Sequence, residues 1–212
     1  EYEKRKILES TGIDICIVYP FDLITKNMLP NDFVKNVLVD LLDVKKVVVG
    51  KDFRFGKFRQ GDVELLKKLG EKYGYEVVSY QKKLASDGEE ISSRRIRENI
   101  NKSNLEIVNS ELGRPYSFSG TVSKGRQLGR SIGFPTINIE PDKEKVLPKN
   151  GVYSSRIVFE DEADIEYIGM TNIGNNPTVA DGLSKVIETN IFDFKKDVYG
   201  RQVKVFIMKY VR

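Results

Sequence analysis

The sequence of 212 residues predicts an α/β region followed by an all-β region. Residues 1–112 alternate helical and strand patterns, which is typical of a parallel sheet covered by helices. Residues 113–212 contain only strand patterns, separated by turn residues, and about six antiparallel strands in such a length form a small closed barrel. We therefore expect two domains, 1–112 and 113–212.

The first region alternates amphipathic helices with short apolar strands. We expect helices over Tyr2–Ser10, Pro30–Leu42, Asp62–Tyr73 and Asn104–Leu112, and strands over Ile13–Phe21, Val44–Gly50 and Glu76–Tyr80. The Val-rich strand Val44–Gly50 is typical of a strand buried on both faces. Cys16 lies within the apolar run ICIV, which predicts a buried structural thiol.

The second region consists of strands divided by Gly-, Pro- and Asp-containing turns. The expected strands are Ser117–Ser123, Thr136–Glu140, Gly151–Phe159, Tyr167–Ile173, Val186–Phe194 and Val203–Val211. Their number and spacing predict a six-stranded antiparallel β-barrel.

Composition restricts the chemistry that is open to the chain. The 212 residues contain no histidine, which excludes Ser-His-Asp and Cys-His catalysis and HExxH zinc sites within them. The single cysteine excludes an internal disulfide and a cysteine-cluster metal site. Any proton transfer must then use a carboxylate, lysine, tyrosine or water.

The charge balance favours small anionic ligands over nucleic acid. The net charge of +4 permits phosphate-bearing ligands but is lower than that of a typical nucleic-acid binder. No apolar run reaches the roughly 20 residues of a membrane helix, and the N-terminus EYEKRK does not resemble a signal peptide. We expect a cytoplasmic protein with no membrane or nucleic-acid partner, and its oligomeric state stays open.

The stretch Gly120–Asn138 combines regularly spaced glycines with arginines. Glycines let backbone N–H groups approach a ligand closely. Thr136 and Asn138 lie two residues apart, so their oxygen-bearing side chains share one face of a strand. Two neutral oxygen ligands beside such a loop suit a hydrated Mg²⁺ that carries nucleotide phosphates. The alternative is a glycine-rich barrel turn in which both side chains close local hydrogen bonds.

Glu188 lies in the predicted strand Val186–Phe194. Strict alternation places it on one face with Asn190, and an acidic side chain on an otherwise largely apolar face is costly unless it is paired or functional. Glu188 is therefore a candidate general base, since burial makes a carboxylate more ready to accept a proton at the working pH. The alternative is a rim glutamate that pairs with a lysine.

Two loops of the first region are candidate ligand sites. Gly50–Gly56 directly follows a predicted strand, where α/β sheets bind ligands. Ile91–Arg97 begins a helix with Ser92 as a good N-cap, and a helix N-terminus with hydroxyls and arginine suits an anion. The alternative for the second loop is an ordinary capped surface helix.

These motifs together resemble those of the bacterial bifunctional riboflavin kinase/FMN adenylyltransferase family. In the second region they are G-x-V-x-x-G-x-x-x-G-R-x-x-G-F-P-T-x-N over Gly120–Asn138, Leu147-Pro148-x-x-Gly151-Val152-Tyr153, Asn172-Ile173-Gly174, Glu188 and Tyr199-Gly200. In the first region they are VVVGKDFRFGKFRQGD over Val47–Asp62 and ISSRRIR over Ile91–Arg97. The resemblance covers essentially the whole chain.

The resemblance implies an incomplete Rossmann-like nucleotidyltransferase domain followed by a riboflavin-kinase barrel, with ATP, riboflavin and FMN as substrates and Mg²⁺ as cofactor. It implies Glu188 as the base, Thr136 and Asn138 as holders of Mg²⁺, and an ATP site of Gly125, Gly129, Arg130, Thr136 and Asn138. It implies flavin contacts at Gly133, Phe134 and Pro135. The adenylyltransferase residues that remain are Asp52, Phe53, Arg54, Phe55, Gly56, Ser92, Ser93 and Arg97.

The chain also departs from the family pattern. Asn190 stands where a histidine is common, and Arg94 replaces a usual threonine. We expect the N-terminal G-x-F-D-G-x-H-x-G-H segment and the C-terminal helical segment to be missing, so that these residues do not convert FMN to FAD. The functional alternatives are a β-barrel nucleic-acid binder, built on Lys124, Phe118, Arg126, Arg130 and Phe134, and a non-catalytic flavin-binding fragment.

Overall fold

A computed structural model describes residues 2–124, 135–175 and 185–212. The chain forms two compact units, one of Arg5–Glu90 and one of Ile91–Arg212 with the first four residues. The boundary predicted at residue 112 marks the change from helices to strands, whereas the compact unit that contains the strands begins earlier, at Ile91.

The unit Arg5–Glu90 contains short helices and a small parallel sheet. Its helices are α1 (Tyr2–Glu9, which begins in the other unit), α2 (Leu23–Asn27), α3 (Pro30–Asp32, continued by a π-helix over Phe33–Leu41) and α4 (Val63–Tyr73), with a 3-10 turn at Lys57–Arg59. Its strands are β1 (Lys46–Gly50) and β2 (Glu76–Tyr80), which pair in parallel as predicted. The core packs Val34, Phe55, Leu66, Leu69 and Tyr75.

Local sequence explains the β1–α4–β2 order. The Asp62 side chain accepts a hydrogen bond from the backbone N–H of Leu65 and caps the first turn of α4. Gly74 ends the helix in the left-handed conformation at φ 80°, which costs glycine little. The helix therefore begins and ends within one residue of the predicted range.

The predicted strand over Ile13–Phe21 is wrong. These residues form neither helix nor strand, and Ile15 and Val18 are 77% and 69% exposed. Cys16 is exposed rather than buried. A strand needs a partner for its backbone groups, and within the described residues the sheet of this unit consists of β1 and β2. An apolar run alone is therefore not sufficient to form a strand.

The prediction that β1 is buried on both faces is also wrong. Val47 and Val49 pack against the core, whereas Val48 points away from it and is 60% exposed. Because successive side chains of a strand point to opposite faces, packing on one side buries every second residue.

The unit Ile91–Arg212 contains two helices and a closed barrel. Its helices are α5 (Ser93–Lys102) and α6 (Leu105–Leu112), with a 3-10 turn at Glu160–Glu162. Its strands are β3 (Tyr116–Ser123), β4 (Thr136–Pro141), β5 (Gly151–Phe159), β6 (Tyr167–Asn175), β7 (Lys185–Ile191) and β8 (Gln202–Tyr210). They close in the order β3-β4-β7-β6-β5-β8, and every neighbouring pair is antiparallel, which confirms the predicted six-stranded barrel.

One barrel strand ends earlier than predicted. β7 stops at Ile191 instead of Phe194, because Asp193 adopts a left-handed backbone with φ 53°. The chain then leaves the sheet, and Phe194 packs partly buried against the barrel core.

A row of buried hydroxyls crosses the barrel interior. Ser155 Oγ donates to Thr171 Oγ1 at 2.7 Å, and Thr171 Oγ1 and Thr189 Oγ1 share a hydrogen bond at 2.9 Å. All three residues are buried among isoleucine, valine and phenylalanine side chains. Buried polar groups need such partners, so this row links β5, β6 and β7 from inside.

We expect Thr171→Val to destabilise the barrel by about 1–3 kcal/mol, because it leaves the buried hydroxyls of Ser155 and Thr189 without their shared partner. The measurement is the free energy of unfolding in urea. Thr121→Val is the control, since Thr121 accepts its hydrogen bond from Gln202 at the surface, and it should cost no more than about 0.5 kcal/mol. Equal costs for both variants would contradict a structural role for the buried row.

Candidate functional site

A row of polar side chains lies on the outer face of the barrel. β7 pairs with β4 on one side and β6 on the other, so Glu188 is the cross-strand partner of both Asn138 and Asn172. Directly opposed residues of antiparallel strands hold their Cβ atoms about 4.5–5.5 Å apart. We call Asn138, Glu188 and Asn172 the outer polar row.

A second row lies one step along the same strands and on the same face. Thr136 opposes Asn190, which in turn opposes Met170. The Asn190 side chain donates to the carbonyl oxygen of Pro135 at 2.8 Å and so fixes the start of β4. The structure thus brings Thr136, Asn138 and Glu188 together, as the predicted site requires.

Glu188 is half-buried on the outer face rather than enclosed in the barrel. Its neighbours Ile187 and Thr189 point inward and are fully buried. Within residues 2–124, 135–175 and 185–212, no lysine forms an ion pair with Glu188, so the rim-pair alternative is not observed there. The carboxylate faces solvent beside two carboxamides.

A cavity of about 310 Å³ lies at the end of the barrel where β4 begins and β7 ends. It is lined by the start of β4, by β7 and by the segment that follows β7, namely Pro135, Thr136, Ile137, Thr189, Ile191 and the run Phe194–Tyr199. Thr136 belongs both to the cavity lining and to the row beside Glu188. Thr136 is therefore the residue that connects the cavity with the outer face of β4 and β7.

Aromatic packing holds the segment that forms one cavity wall. The Phe194 ring stacks on Phe159 with centroids 5.7 Å apart and meets Tyr167 edge-on at 5.0 Å. Phe159 is fully buried in the barrel core. The segment that follows β7 is therefore held in place by aromatic packing and forms an ordered wall of the cavity.

Ion pairs hold the same segment to the turn Glu160–Glu162. Lys196 pairs with Glu162 at 3.2 Å, and Arg201 pairs with Asp161 at 2.5 Å while its guanidinium lies 4.4 Å from the centre of the Phe159 ring. The hydrogen bond from Tyr167, followed by that from Lys196, lowers the pKa of Glu162. Arg201 likewise lowers the pKa of Asp161.

The predicted loop Gly50–Gly56 lies in the unit Arg5–Glu90, where several of its residues serve the fold. Phe55 is buried in the core, and Arg54 pairs at 2.7 Å with Asp62, the cap of α4. Gly56 has φ 69°, and a Cβ there would lie 2.7 Å from the Pro30 side chain.

Two further residues of this loop, Asp52 and Phe53, are exposed. Asp52 pairs with Lys82 at 2.7 Å, which lowers the pKa of Asp52. Phe53 stacks on Phe55 with centroids 5.6 Å apart and stays 36% exposed. Phe53 is therefore the aromatic face that this loop offers to a ligand.

The predicted anion site begins helix α5. Ser92 caps the helix by accepting a hydrogen bond from the backbone N–H of Arg95 at 3.2 Å, as predicted. Ser93 and Arg97 are exposed on its first turns. The geometry fits both the anion site and the capped surface helix.

Several predicted residues lie outside the described part of the chain. They are Gly125, Gly129, Arg130, Gly133 and Phe134, and also Arg126, on which the nucleic-acid alternative partly rested. Pro135, predicted to contact flavin, is described and lines the cavity. The described residues contain no group of three or more Cys, Asp or Glu side chains that could hold a metal ion.

Comparison with known proteins connects both units to flavin metabolism. Residues 112–212 match the family model described as riboflavin kinase, and residues 1–95 match that described as FAD synthetase. A bifunctional riboflavin kinase/FMN adenylyltransferase of Escherichia coli (strain K12) is 38% identical over 210 residues, which are 99% of this chain and 66% of that protein. The chain belongs to the bifunctional riboflavin kinase/FMN adenylyltransferase family.

One further relative carries the same name, and one solved structure with a different description has a similar fold. The Listeria monocytogenes member is 36% identical over 203 residues, covering 96% of this chain and 63% of its own length. A crystal structure described as a macrolide-efflux protein from Streptococcus pneumoniae has a TM-score of 0.88 and 28% identity, covering 100% of this chain and 66% of its own. The chain spans just under two thirds of the length of these relatives. None of its described helices is long and apolar enough to traverse a lipid bilayer.

Two features of the candidate site do not follow from the sequence pattern. Asn172 belongs to the motif Asn172-Ile173-Gly174, but its position opposite Glu188 depends on strand pairing. The strand predicted to end at Phe194 ends at Ile191, and the run Phe194–Tyr199 forms a wall of the cavity. The acidic–basic pattern of Asp161, Glu162, Lys196 and Arg201 was visible in the sequence, but not the pairing.

We expect the ion pairs of the cavity wall to make barrel stability sensitive to acid. Asp161 and Glu162 have pKa values below their usual 3.8 and 4.5, so their contribution is present above those values and is lost as pH falls through the lowered ones. Arg201→Met should therefore lower the melting temperature near neutral pH and flatten its fall below about pH 4.5.

The matched control for this experiment is Arg156→Met. Arg156 also pairs with a carboxylate, Glu166, at 3.0 Å and lies 4.5 Å from the centre of the Phe206 ring, but it does not contact Asp161 or Glu162. The melting temperature is measured between pH 3 and pH 7. If it falls by the same amount for wild type and Arg201→Met, the assigned role of the Arg201–Asp161 pair is contradicted.

Proposed function

We propose that the unit Ile91–Arg212 transfers the γ-phosphate of ATP to the 5′-hydroxyl of riboflavin and so forms FMN. The observation that carries this proposal is the position of Glu188 opposite Asn138 and one row from Thr136, beside a cavity. Relatives along essentially the whole chain are named riboflavin kinase/FMN adenylyltransferase, which supports the same reaction.

The cavity suits the base of a nucleotide. Its volume of about 310 Å³ is at the lower end of the usual range of ligand sites. Ile137, Ile191 and Phe194 give it apolar walls against which a flat ring can pack, and Thr136, which lies one row from Glu188, also lines it. A nucleotide bound there would direct its phosphates toward Asn138 and Glu188.

Thr136 and Asn138 fit the proposed Mg²⁺. Both side chains offer neutral oxygen atoms on one face of β4, and hard divalent cations prefer such ligands together with phosphate oxygens and water. When bound, Mg²⁺ would neutralise phosphate charge during transfer. Gly125, Gly129 and Arg130 remain predicted ATP contacts, and Gly133, Phe134 and Pro135 remain predicted flavin contacts.

Glu188 is the proposed general base. The proton of the riboflavin 5′-hydroxyl passes to the Glu188 carboxylate, and the hydroxyl oxygen forms a bond to the γ-phosphorus. The bond between that phosphorus and the bridging oxygen breaks, and ADP leaves. Phosphoryl transfer depends mainly on positioning and charge neutralisation, so the strand register that places Glu188 is central to the reaction.

The unit Arg5–Glu90 is the proposed adenylyltransferase part of this chain. Phe53 offers an exposed aromatic face on the loop after β1, which suits stacking with a flavin or adenine ring. In the whole protein this unit would contribute to the conversion of FMN to FAD.

We expect Glu188→Gln to lower kcat for FMN formation by about 10²–10⁴-fold, because it removes the base but keeps the shape of the side chain. The KM for ATP should change little. The measurement is chromatographic separation of riboflavin, FMN and FAD after incubation with riboflavin and MgATP. The same separation tests whether FAD stays at background.

Glu140→Gln provides the control for loss of a carboxylate. Glu140 is exposed on the same strand as Asn138, two residues further along, and does not line the cavity. It should turn over like wild type. FMN formation by Glu188→Gln at the wild-type rate would rule out the assigned base.

A further inference from the structure

Asn172 lies beside Glu188 and has no role in the proposed reaction as described above. It opposes Glu188 from β6, on the side away from Asn138. Its neighbours Thr171 and Ile173 are fully buried, so Asn172 points outward, as Glu188 does. The carboxylate therefore stands between two carboxamides.

The surroundings of Asn172 leave its carboxamide available. Even a Cβ on Gly174 would lie 4.0 Å from the Asn172 Nδ2, an ordinary van der Waals distance, so this neighbour does not crowd the carboxamide. In the part of the chain that the structure describes, the Asn172 side chain is exposed and has no hydrogen-bond partner. It is thus free to turn toward its cross-strand neighbour.

Asn190 provides a contrast on the adjacent strand. Its carboxamide donates a hydrogen bond to the carbonyl oxygen of Pro135 at 2.8 Å and so fixes the start of β4. The Asn190 carboxamide therefore stabilises the fold beside the cavity. The Asn172 carboxamide lies next to Glu188, and among the described residues its Nδ2 has no hydrogen-bond acceptor.

We propose that Asn172 is a positioning residue for Glu188, an inference that rests on the proposed riboflavin kinase function. The Asn172 Nδ2 donates a hydrogen bond to one carboxylate oxygen of Glu188, and the other oxygen is left to accept the proton of the substrate hydroxyl. A carboxamide suits this task because it orients the carboxylate without a positive charge that would weaken it as a base.

The charges that face Glu188 from the flanking strands are few. Among the described residues, its outward neighbours within one row are neutral on β7 and β6, and Glu140 on β4 is the acidic group on the diagonal. The neutral carboxamides of Asn138 and Asn172 are therefore the polar groups directly opposite Glu188 on the flanking strands.

The first test compares Asn172→Leu with wild type in FMN formation from riboflavin and MgATP. We expect kcat to fall by about 10- to 100-fold, as for loss of a hydrogen bond to a charged group, with the KM for ATP unchanged within about twofold. Asn175→Leu is the matched control, because Asn175 is exposed at the end of the same strand and alternates to the other face. Melting temperatures check that both variants fold.

The second test combines Asn172→Leu with Glu188→Gln. If Asn172 acts through Glu188, the double variant is no slower than Glu188→Gln alone. A further loss equal to that of Asn172→Leu in wild type would overturn the proposal.

The outcomes separate this inference from the proposed function. A slow Glu188→Gln with Asn172→Leu as fast as Asn175→Leu overturns the positioning role and leaves the kinase assignment intact. A fully active Glu188→Gln overturns the assigned base, and the role of Asn172 with it.

Discussion

The antiparallel register of β7 with its two neighbours is the constraint on which the site depends. Pairing with β4 sets Asn138 beside Glu188, and pairing with β6 sets Asn172 on its other side. A slip of one residue would turn Glu188 into the barrel and bring Thr189 out. The chemistry of the outer face is therefore decided by hydrogen bonds within the barrel wall.

The inner face protects that register. Ile187 and Thr189 of β7 are fully buried, and the Thr189 hydroxyl bonds to Thr171, its cross-strand partner on β6. Turning the strand over would place Glu188 among apolar side chains without a partner, which is costly. The residues of the buried hydroxyl row on β6 and β7 thus directly precede or follow those of the outer polar row in sequence. The two rows lie on opposite faces of the same pair of strands.

Much of the fold follows from the sequence, because strand alternation and turn residues are local signals. They predict all six barrel strands and the pairing of helix and strands around α4. They fail for Ile13–Phe21, since an apolar run says nothing about whether a partner strand exists. The position of Asn172 opposite Glu188 does not follow from the sequence either, because it depends on the register between β6 and β7, which alternation within each strand does not set.

The central claim is that phosphate and metal bind beside β4 and β7. Paramagnetic line broadening by Mn²⁺·ATP, measured on backbone amides of the 212-residue chain, tests it most directly. The account predicts strong broadening at Thr136, Asn138 and Glu188, and little at Arg156 or Lys204 on β5 and β8, across the barrel. Broadening centred on β5 and β8, with Glu188 unaffected, would contradict it.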